Sequence, residues 1–566
     1  MKGDFSRLTY DQEKRFSRVF MQQGRVQLDA DWNEQASIFV ESLRSLTADV
    51  IGPHGGMTAT SFQIEAGETG FHIKKGRYYV QGIGCANAID QPYDKQAHYP
   101  APELLTEGKY LVYLDVWERH VTATEDDSIR EVALGGADTS SRGQIVWQVK
   151  TLLLGSDASG EVESRLKDLQ RIEKGEALWP RNPQRVREKR KTFVEYAQHL
   201  LEEQLQTKGC VTLRASVGGN HTETTPQYQG GENQLYRVEI HQGATAVSGK
   251  ATFKWSRENG SVTFPIQSAT CSKHNNKELL VTLKYFGSDS RGGLNIDDWV
   301  EIVDESDVLK GTPGPLYQVE KIDLGGMETI VTLKSTHPLA QNGESLQLCR
   351  AVLRRWDHGD HKGSIAGGAI VVREGAEVEL EDNLKITFRS QSNGHPAVYR
   401  SGDYWLIPAR AATRDIEWPK TNDANGHVMY EEREPRGIDH RYAPLAYVAV
   451  DKEGCVTVER DCRCVVSPLG QPVGRPLKSP FILSLDLIAF TICGALLGLS
   501  LWVIGTQMPL PTEGAKRLFT YIGIGGFLGL TLSGLYNLFL WCLSPFIGST
   551  KQSEGSTEIQ SDANHA

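Results

Sequence analysis

The chain of 566 residues is poor in several signals that usually announce a function. Its nine cysteines are mostly scattered: Cys85, Cys210, Cys271 and Cys349 stand singly, and Cys493 and Cys542 lie in apolar runs. No disulfide framework emerges, which fits a reducing compartment. Only Cys455, Cys462 and Cys464 cluster, without the paired C-x2-C spacing and fourth ligand of a zinc site. They read as ordinary thiols in a strand pair. Positive charge is not in excess; the formal net charge of −10 leaves no footprint for nucleic acid. The opening MKGDFSRLTYDQEKRF lacks the apolar stretch of a secretory signal peptide. Nucleophile elbows, Walker A loops and kinase motifs are missing. LGGAD and SVGGN are glycine turns outside the strand-to-helix context that a phosphate loop needs.

What is present is a charged, β-rich chain with an apolar end. A composition of 39% hydrophobic and 23% charged residues supports real cores, and the length exceeds one ordinary core. Residues 1–59 read as turns plus one helix. Ile38, Phe39, Leu43, Leu46 and Val50 recur at helical spacing, Asp31 or Asn33 is placed to cap, and Gly52-Pro53 stops it. Residues 60–159 are strand-like, with runs such as KYLVYLDVWERHVTA that are apolar on both faces and therefore expected to be covered on both sides. Residues 160–209 are charged and helical in period, and their REKRK run reads as a solvated face. Residues 210–465 return to short alternating strands, expected as sandwich or barrel-like modules. There Asn259-Gly260 signals a type I′ hairpin turn. Residues 466–480 are a Pro/Gly linker, and 549–566 a polar tail expected to be disordered.

Two long runs of low charge lie between linker and tail, Phe481 to Gly505 and Leu518 to Gly548. Each meets the length of about 20 apolar residues needed to span a bilayer as a helix. They read as a two-helix transmembrane hairpin over 481–548. Trp502, Tyr521 and Trp541 suit interfacial anchors. Gly494 and Gly498, and Gly525, Gly529 and Ser533, recur every four residues as helix-packing faces. Asp486 sits about one and a half turns into the first run. With no signal peptide, the large N-terminal region is expected on the cytoplasmic side of a two-pass integral membrane protein.

Candidate chemistry in the rest of the chain is sparse. In RRWDHGDHKGS, Asp357, His358, Asp360 and His361 offer ligands suited to zinc, manganese or iron, against a reading as a polar loop. GIDHRYAP adds Asp439 and His440. Glu125-Asp126-Asp127 reads as a solvated turn. RSGDYWLIPAR groups Arg400, Asp403, Tyr404, Trp405 and Arg410, which exposed would suit recognition and buried would be a strand with an ion pair.

The stretch MQQGRVQLDADWNEQ, with GENQLYRVEIH, ATFKWSRENGSV, DDWVEIVD, LRRWDHGD and RSGDYWLIPARAATRDIEWP, resembles an uncharacterised bacterial domain family over roughly residues 1–465. The resemblance implies gene clusters of phage-tail-like contractile injection systems, with no catalytic residues to carry over. Some relatives continue into a β-helix or another module, whereas this sequence departs from them with the apolar hairpin, and its charged helices look like an insertion.

The expected fold is mainly β with a minor helical part (α+β), a multi-module soluble region followed by the hairpin. The expected function is a non-catalytic structural component at the baseplate periphery, anchoring the particle to an inner or thylakoid membrane. Its partners would be baseplate or sheath proteins and the lipid bilayer, with multiple copies around the particle and no cofactor. The alternative is a membrane-tethered metal-dependent enzyme or binding protein acting on cell-wall or polysaccharide.

Overall fold

Runs of β-branched and aromatic residues separated by turn residues build most of the chain. Among the described residues of the computed structural model, strand accounts for 42% and helix for 18%, so the protein is mainly β. The structure describes residues 1–466, except the stretches 68–69, 175–182, 206–210, 219–226, 246–250, 285–292, 326–327, 340–342, 359–364, 391–397 and 423–427. The expected membrane hairpin, its packing residues and Asp486 lie outside the described residues. Among the described residues, no helix is long and apolar enough to cross a membrane.

Three β assemblies lie in the described part. The first is a four-stranded antiparallel sheet in the order Val456–Asp461, Arg441–Val450, Gly108–Val121, Arg142–Leu153. It joins strands from the early and late parts of the described residues, so the sheets do not follow the linear segments 60–159 and 210–465. Its long central strand alternates in a telling way. Val112, Leu114 and Val116 face small sheets that include Gly76–Val80 and Ile83–Asn87, while Leu111 and Tyr113 face the opposite side. Both faces are covered, which is why the strand is apolar throughout.

The cover on the second face is the charged helical pair, α2 (Ser156–Lys174) and α3 (Pro183–Leu205). Leu166, Leu169, Phe193 and Leu201 pack with Leu111, Tyr442 and Tyr447. The inner side of the pair thus belongs to the core, as in an amphipathic pair.

The second assembly is a sandwich. A six-stranded sheet in the order Ile365–Ala366, Ala369–Val371, Thr252–Ser256, Gln234–Gln242, Tyr404–Arg410, Asp415–Ile416 shares one apolar core with the sheet Glu377–Glu379, Leu384–Ser390, Val211–Val217. Val238, Phe253, Trp255 and Trp405 from the first meet Leu213, Ile386 and Phe388 from the second.

The third is a closed barrel of six strands in the order Thr263–Cys271, Glu278–Leu283, Glu328–Ser335, Leu316–Gly325, Trp299–Val303, Val352–Trp356. Closure removes its open edges. Its interior is filled by Leu279, Val281, Val300, Val319, Val331 and Leu353.

Asn259 and Gly260 adopt φ of 53° and 64°, as the turn signal requires. The strands on either side of them are not paired, however. Thr252–Ser256 pairs within the sandwich and Thr263–Cys271 within the barrel. The turn therefore carries the chain from one module to the next. A turn's local geometry does not say which strands its flanks will join.

The N-terminal helix α1 spans Asp29–Ile51, starting two residues before the first expected cap. Asp31 still serves the helix start, since its carboxylate accepts from the Leu28 amide at 3.3 Å. Gly52, at φ of 94°, ends the helix. Of the five apolar residues that marked it, only Ile38 is buried; Phe39, Leu43, Leu46 and Val50 face outward. The face toward the body is largely polar. Asp29 accepts from the amide and hydroxyl of Ser6 at 2.9 and 2.6 Å, Gln35 accepts from the Val19 amide at 2.8 Å, and Arg44 pairs with Glu118. Periodicity predicted a helix and could not say which side would be covered.

Candidate functional site

The most organised polar region lies where the sandwich meets the barrel. On the strand Gln234–Gln242, Val238 points into the sandwich core, so Arg237 and Glu239 point to the other face. Register places Lys254 opposite Glu239. Such a face would ordinarily be wet. Here the barrel strands bearing Glu301, Arg354 and Trp356 meet it together with residues 1–3, and Arg237, Glu239, Lys254, Glu301 and Arg354 are all buried.

The charges are closely matched. Glu239 receives Arg237 Nε at 2.6 Å and Lys2 Nζ at 2.8 Å, and Lys254 Nζ lies 3.5 Å away. Lys254 also donates to Glu301 at 2.7 Å. Trp356 Nε1 donates to the same carboxylate at 2.9 Å, and the Gly314 amide to its other oxygen at 3.1 Å. Lys254 stands 4.5 Å from the centre of the Trp356 ring, and Arg237 stands 3.6 Å from that of Tyr404. These are cation–π contacts in a site largely removed from water.

The N-terminal residues are locked into this network. Arg237 donates to the Met1 carbonyl at 3.0 Å, and Asn259 Nδ2 donates to the Gly3 carbonyl at 2.9 Å. Asn259 Oδ1 in turn accepts from Arg237 at 3.3 Å. The inter-module turn and the N-terminal segment are therefore tied by one amide side chain.

Electrostatics follow from burial and pairing. Burial opposes the Glu301 charge, but Lys254 and Lys2 outweigh it and hold the carboxyl at about 2. Glu239 is held well below the usual range: burial works against its charge, and Lys2, Arg237 and Lys254 overcome that. Burial pushes Lys2 down to about 8 despite the attraction of Glu239. Removing charges from water costs several kcal/mol each, roughly recovered only when every hydrogen-bonding site is used. The network defines how three chain segments fit together more than it adds stability.

The residues singled out as candidate metal ligands do not form one site among the described residues. Asp357 accepts from the Arg257 amide at 2.9 Å and pairs with Arg355 Nε at 3.4 Å. His358 is buried, with Nε2 2.7 Å from the Gly368 carbonyl and its ring stacked on Trp299. Asp360 and His361 lie outside the described residues. No group of three or more His, Cys, Asp or Glu suited to a metal ion occurs among the described residues. His440 is engaged elsewhere, 2.8 Å from the buried Asp115, and Asp439 pairs with Arg441. Of the expected solvated turn, Asp126 and Asp127 lie on a 3-10 turn with no buried residue, whereas Glu125 is turned inward, accepts from the Thr122 amide at 3.0 Å and pairs with Arg119 at 3.5 Å.

The recognition candidates divide in the same way. Tyr404 and Trp405 are buried, and the Trp405 indole donates to the Arg433 carbonyl at 2.8 Å. Arg410 pairs with Glu417 at 2.8 Å and donates to the Ser6 carbonyl at 3.2 Å. Burial raises the Asp403 carboxyl to about 6, against Arg400. The stretch is a strand with an ion pair. It forms one wall of a groove of about 770 Å³ whose other wall is the segment Arg7–Lys14.

Reading single motifs missed Lys2, Arg237, Glu239, Lys254 and Glu301. Four of them stand inside YRVEIH, ATFKWS and DWVEIVD, at the polar positions of alternating strands. Alternation assigns such positions to solvent. Only the stacking of one β module on another, which pattern reading does not reach, turns them into a core.

A sandwich and a barrel joined through a buried ionic seam, with the N-terminal segment threaded between them, define a multi-module β protein. The chain belongs to the family described as a family of unknown function (DUF6519), which it matches over residues 1–212 and 196–480. No curated protein and no solved structure matches it.

Proposed function

We propose that the protein is a non-catalytic structural component of a phage-tail-like contractile injection system, holding the particle to a membrane through its C-terminal end. The observation that carries this reading is in the sequence: two long, charge-poor apolar runs, Phe481 to Gly505 and Leu518 to Gly548, follow a charged β-rich unit. The resemblance of residues 1–465 to proteins from contractile-system gene clusters supplies the context. Asp357, His358, Tyr404 and Trp405 are engaged in packing and pairing, which fits a structural role. A particle that recoils during contraction needs a holder that does not come apart. Modules joined by a buried ionic seam and a closed barrel suit that load.

On this reading the large N-terminal region is cytoplasmic, the hairpin crosses an inner or thylakoid membrane twice, and several copies surround the baseplate. Affinity purification of the tagged full chain from detergent-solubilised membranes is the test. Sheath, tube or baseplate subunits should co-purify in stoichiometric amounts. Recovery of the chain without any of them contradicts the proposal.

A further inference from the structure

The outward face of α1 is the largest feature that the ionic seam leaves unused. Trp32, Phe39, Val40, Leu43, Leu46 and Val50 are all exposed, Trp32 by 70% and Phe39 by 67%. Soluble monomers rarely leave a continuous apolar strip of this kind on a helix. The body-facing side is held by polar contacts to Ser6, Val19 and Glu118, so the helix is oriented with its apolar side away from its own core.

The spacing of the strip specifies the shape of what covers it. Trp32, Phe39, Leu43, Leu46 and Val50 follow one another at intervals of seven, four, three and four. With Ala36, also exposed, they occupy successive d and a positions of nearly three heptads. A seam with a 3.5-residue repeat is the complement of another helix with the same repeat.

Charge decides which helix. The positions flanking the seam are Asn33, Gln35, Val40, Ser42, Thr47 and Asp49, so only one of six is charged. Two copies of this face therefore meet with little like-charge repulsion. An anionic lipid surface is disfavoured, because α1 carries five carboxylates, at Asp29, Asp31, Glu34, Glu41 and Asp49, against the single cation Arg44. The area suffices as well. The six side chains present on the order of 500 Å². The segment 16–21, tied to α1 by the bond from the Val19 amide to Gln35, adds exposed Phe16, Phe20 and Met21, which brings the surface near the roughly 800 Å² per partner of a stable interface.

We infer that α1 is a self-association helix, pairing along its Trp32–Val50 seam with α1 of a second copy of this chain. The pairing goes beyond the proposed anchoring and does not depend on it. Two chains joined at α1 form one rigid double-stranded element on the surface of the molecule.

The test uses the detergent-solubilised full chain in which exposed Cys349 and Cys455 are replaced by serine. Leu43 lies near the midpoint of the seam, so Leu43→Cys is within reach of its counterpart in either helix direction. Under mild oxidation it should give a disulfide-linked dimer well above the level of the parent chain and of a Val132→Cys control. In parallel, light scattering should give a protein mass of two chains, reduced to one by Leu43→Glu; because Leu43 is exposed, the substitution leaves the fold intact. A one-chain mass for the native protein, or Leu43→Cys cross-linking no better than the control, overturns the inference, whether lipid or residues 481–548 then cover the face. Neither readout requires the particle or the bilayer, so failure here is distinct from failure of the anchoring.

Discussion

At the scale of single residues, the seam between sandwich and barrel makes Glu301 the most consequential carboxylate. It takes the Lys254 ammonium, the Trp356 indole and the Gly314 amide at once. Glu301→Gln keeps the shape and removes the charge, leaving Glu239, 3.5 Å away, as the remaining carboxylate partner of Lys254. Breaking one side of a buried pair costs about 3–5 kcal/mol. Urea unfolding at neutral pH should show a loss of that order, while a loss under about 1 kcal/mol would mean that the pair is solvated. His54 supplies a pH dependence of a defined sign. Burial against Tyr78, whose hydroxyl lies 2.9 Å from Nδ1, lowers its pKa to about 4. The unfolded chain takes up a proton near pH 6.5, where the folded chain does not. The stability this neutral group contributes is therefore complete above about 6.5 and fades as pH falls toward about 4, by roughly 3 kcal/mol. The urea midpoint should fall over that interval, and His54→Gln should flatten the fall.

At the scale of elements, the sequence was informative about kind and poor about neighbours. The strand runs, the charged helical pair and α1 were all legible as periodicities. Their partners were not. The Asn259-Gly260 pair has the turn geometry its residues imply, yet it links two modules because neither flank carries information about its neighbour. The ionic residues of Gln234–Gln242 were legible as polar positions, and became a core only because a barrel covers them. Of the candidate ligands in RRWDHGDHKGS, the described Asp357 and His358 serve different neighbours, an arginine pair and the Gly368 carbonyl, which adjacency in sequence does not foretell. One close approach between elements is directly testable. Gly82 sits at φ of 81° against the backbone of Arg44 in α1, and a Cβ there would meet the Arg44 carbonyl at 2.1 Å. Gly82→Ala should push the C-terminal half of α1 away from the body. Hydrogen exchange of residues 44–51 should rise by about tenfold or more, corresponding to about 1.4 kcal/mol of lost local stability, with the barrel unaffected. Unchanged exchange in α1 would show that the contact does not hold the helix.

At the scale of the whole molecule, the described part ends beside α1. The Val466 amide donates to the Gly56 carbonyl at 2.9 Å, and Gly56 donates to the Cys464 carbonyl at 2.8 Å. The strand that follows α1 and the end of the β-rich unit are thus stitched together at one place, from which residues 467–480 lead in sequence to the apolar runs. The central claim is that the apolar runs, and not the β-rich unit, hold the protein at a membrane. The most direct measurement compares the full chain with a chain lacking residues 475–566 in membranes washed with alkaline carbonate. The full chain should stay in the pellet and the truncated chain, still folded by its urea midpoint, should appear in the supernatant. A truncated chain that stays in the pellet, or a full chain released by the wash, contradicts it.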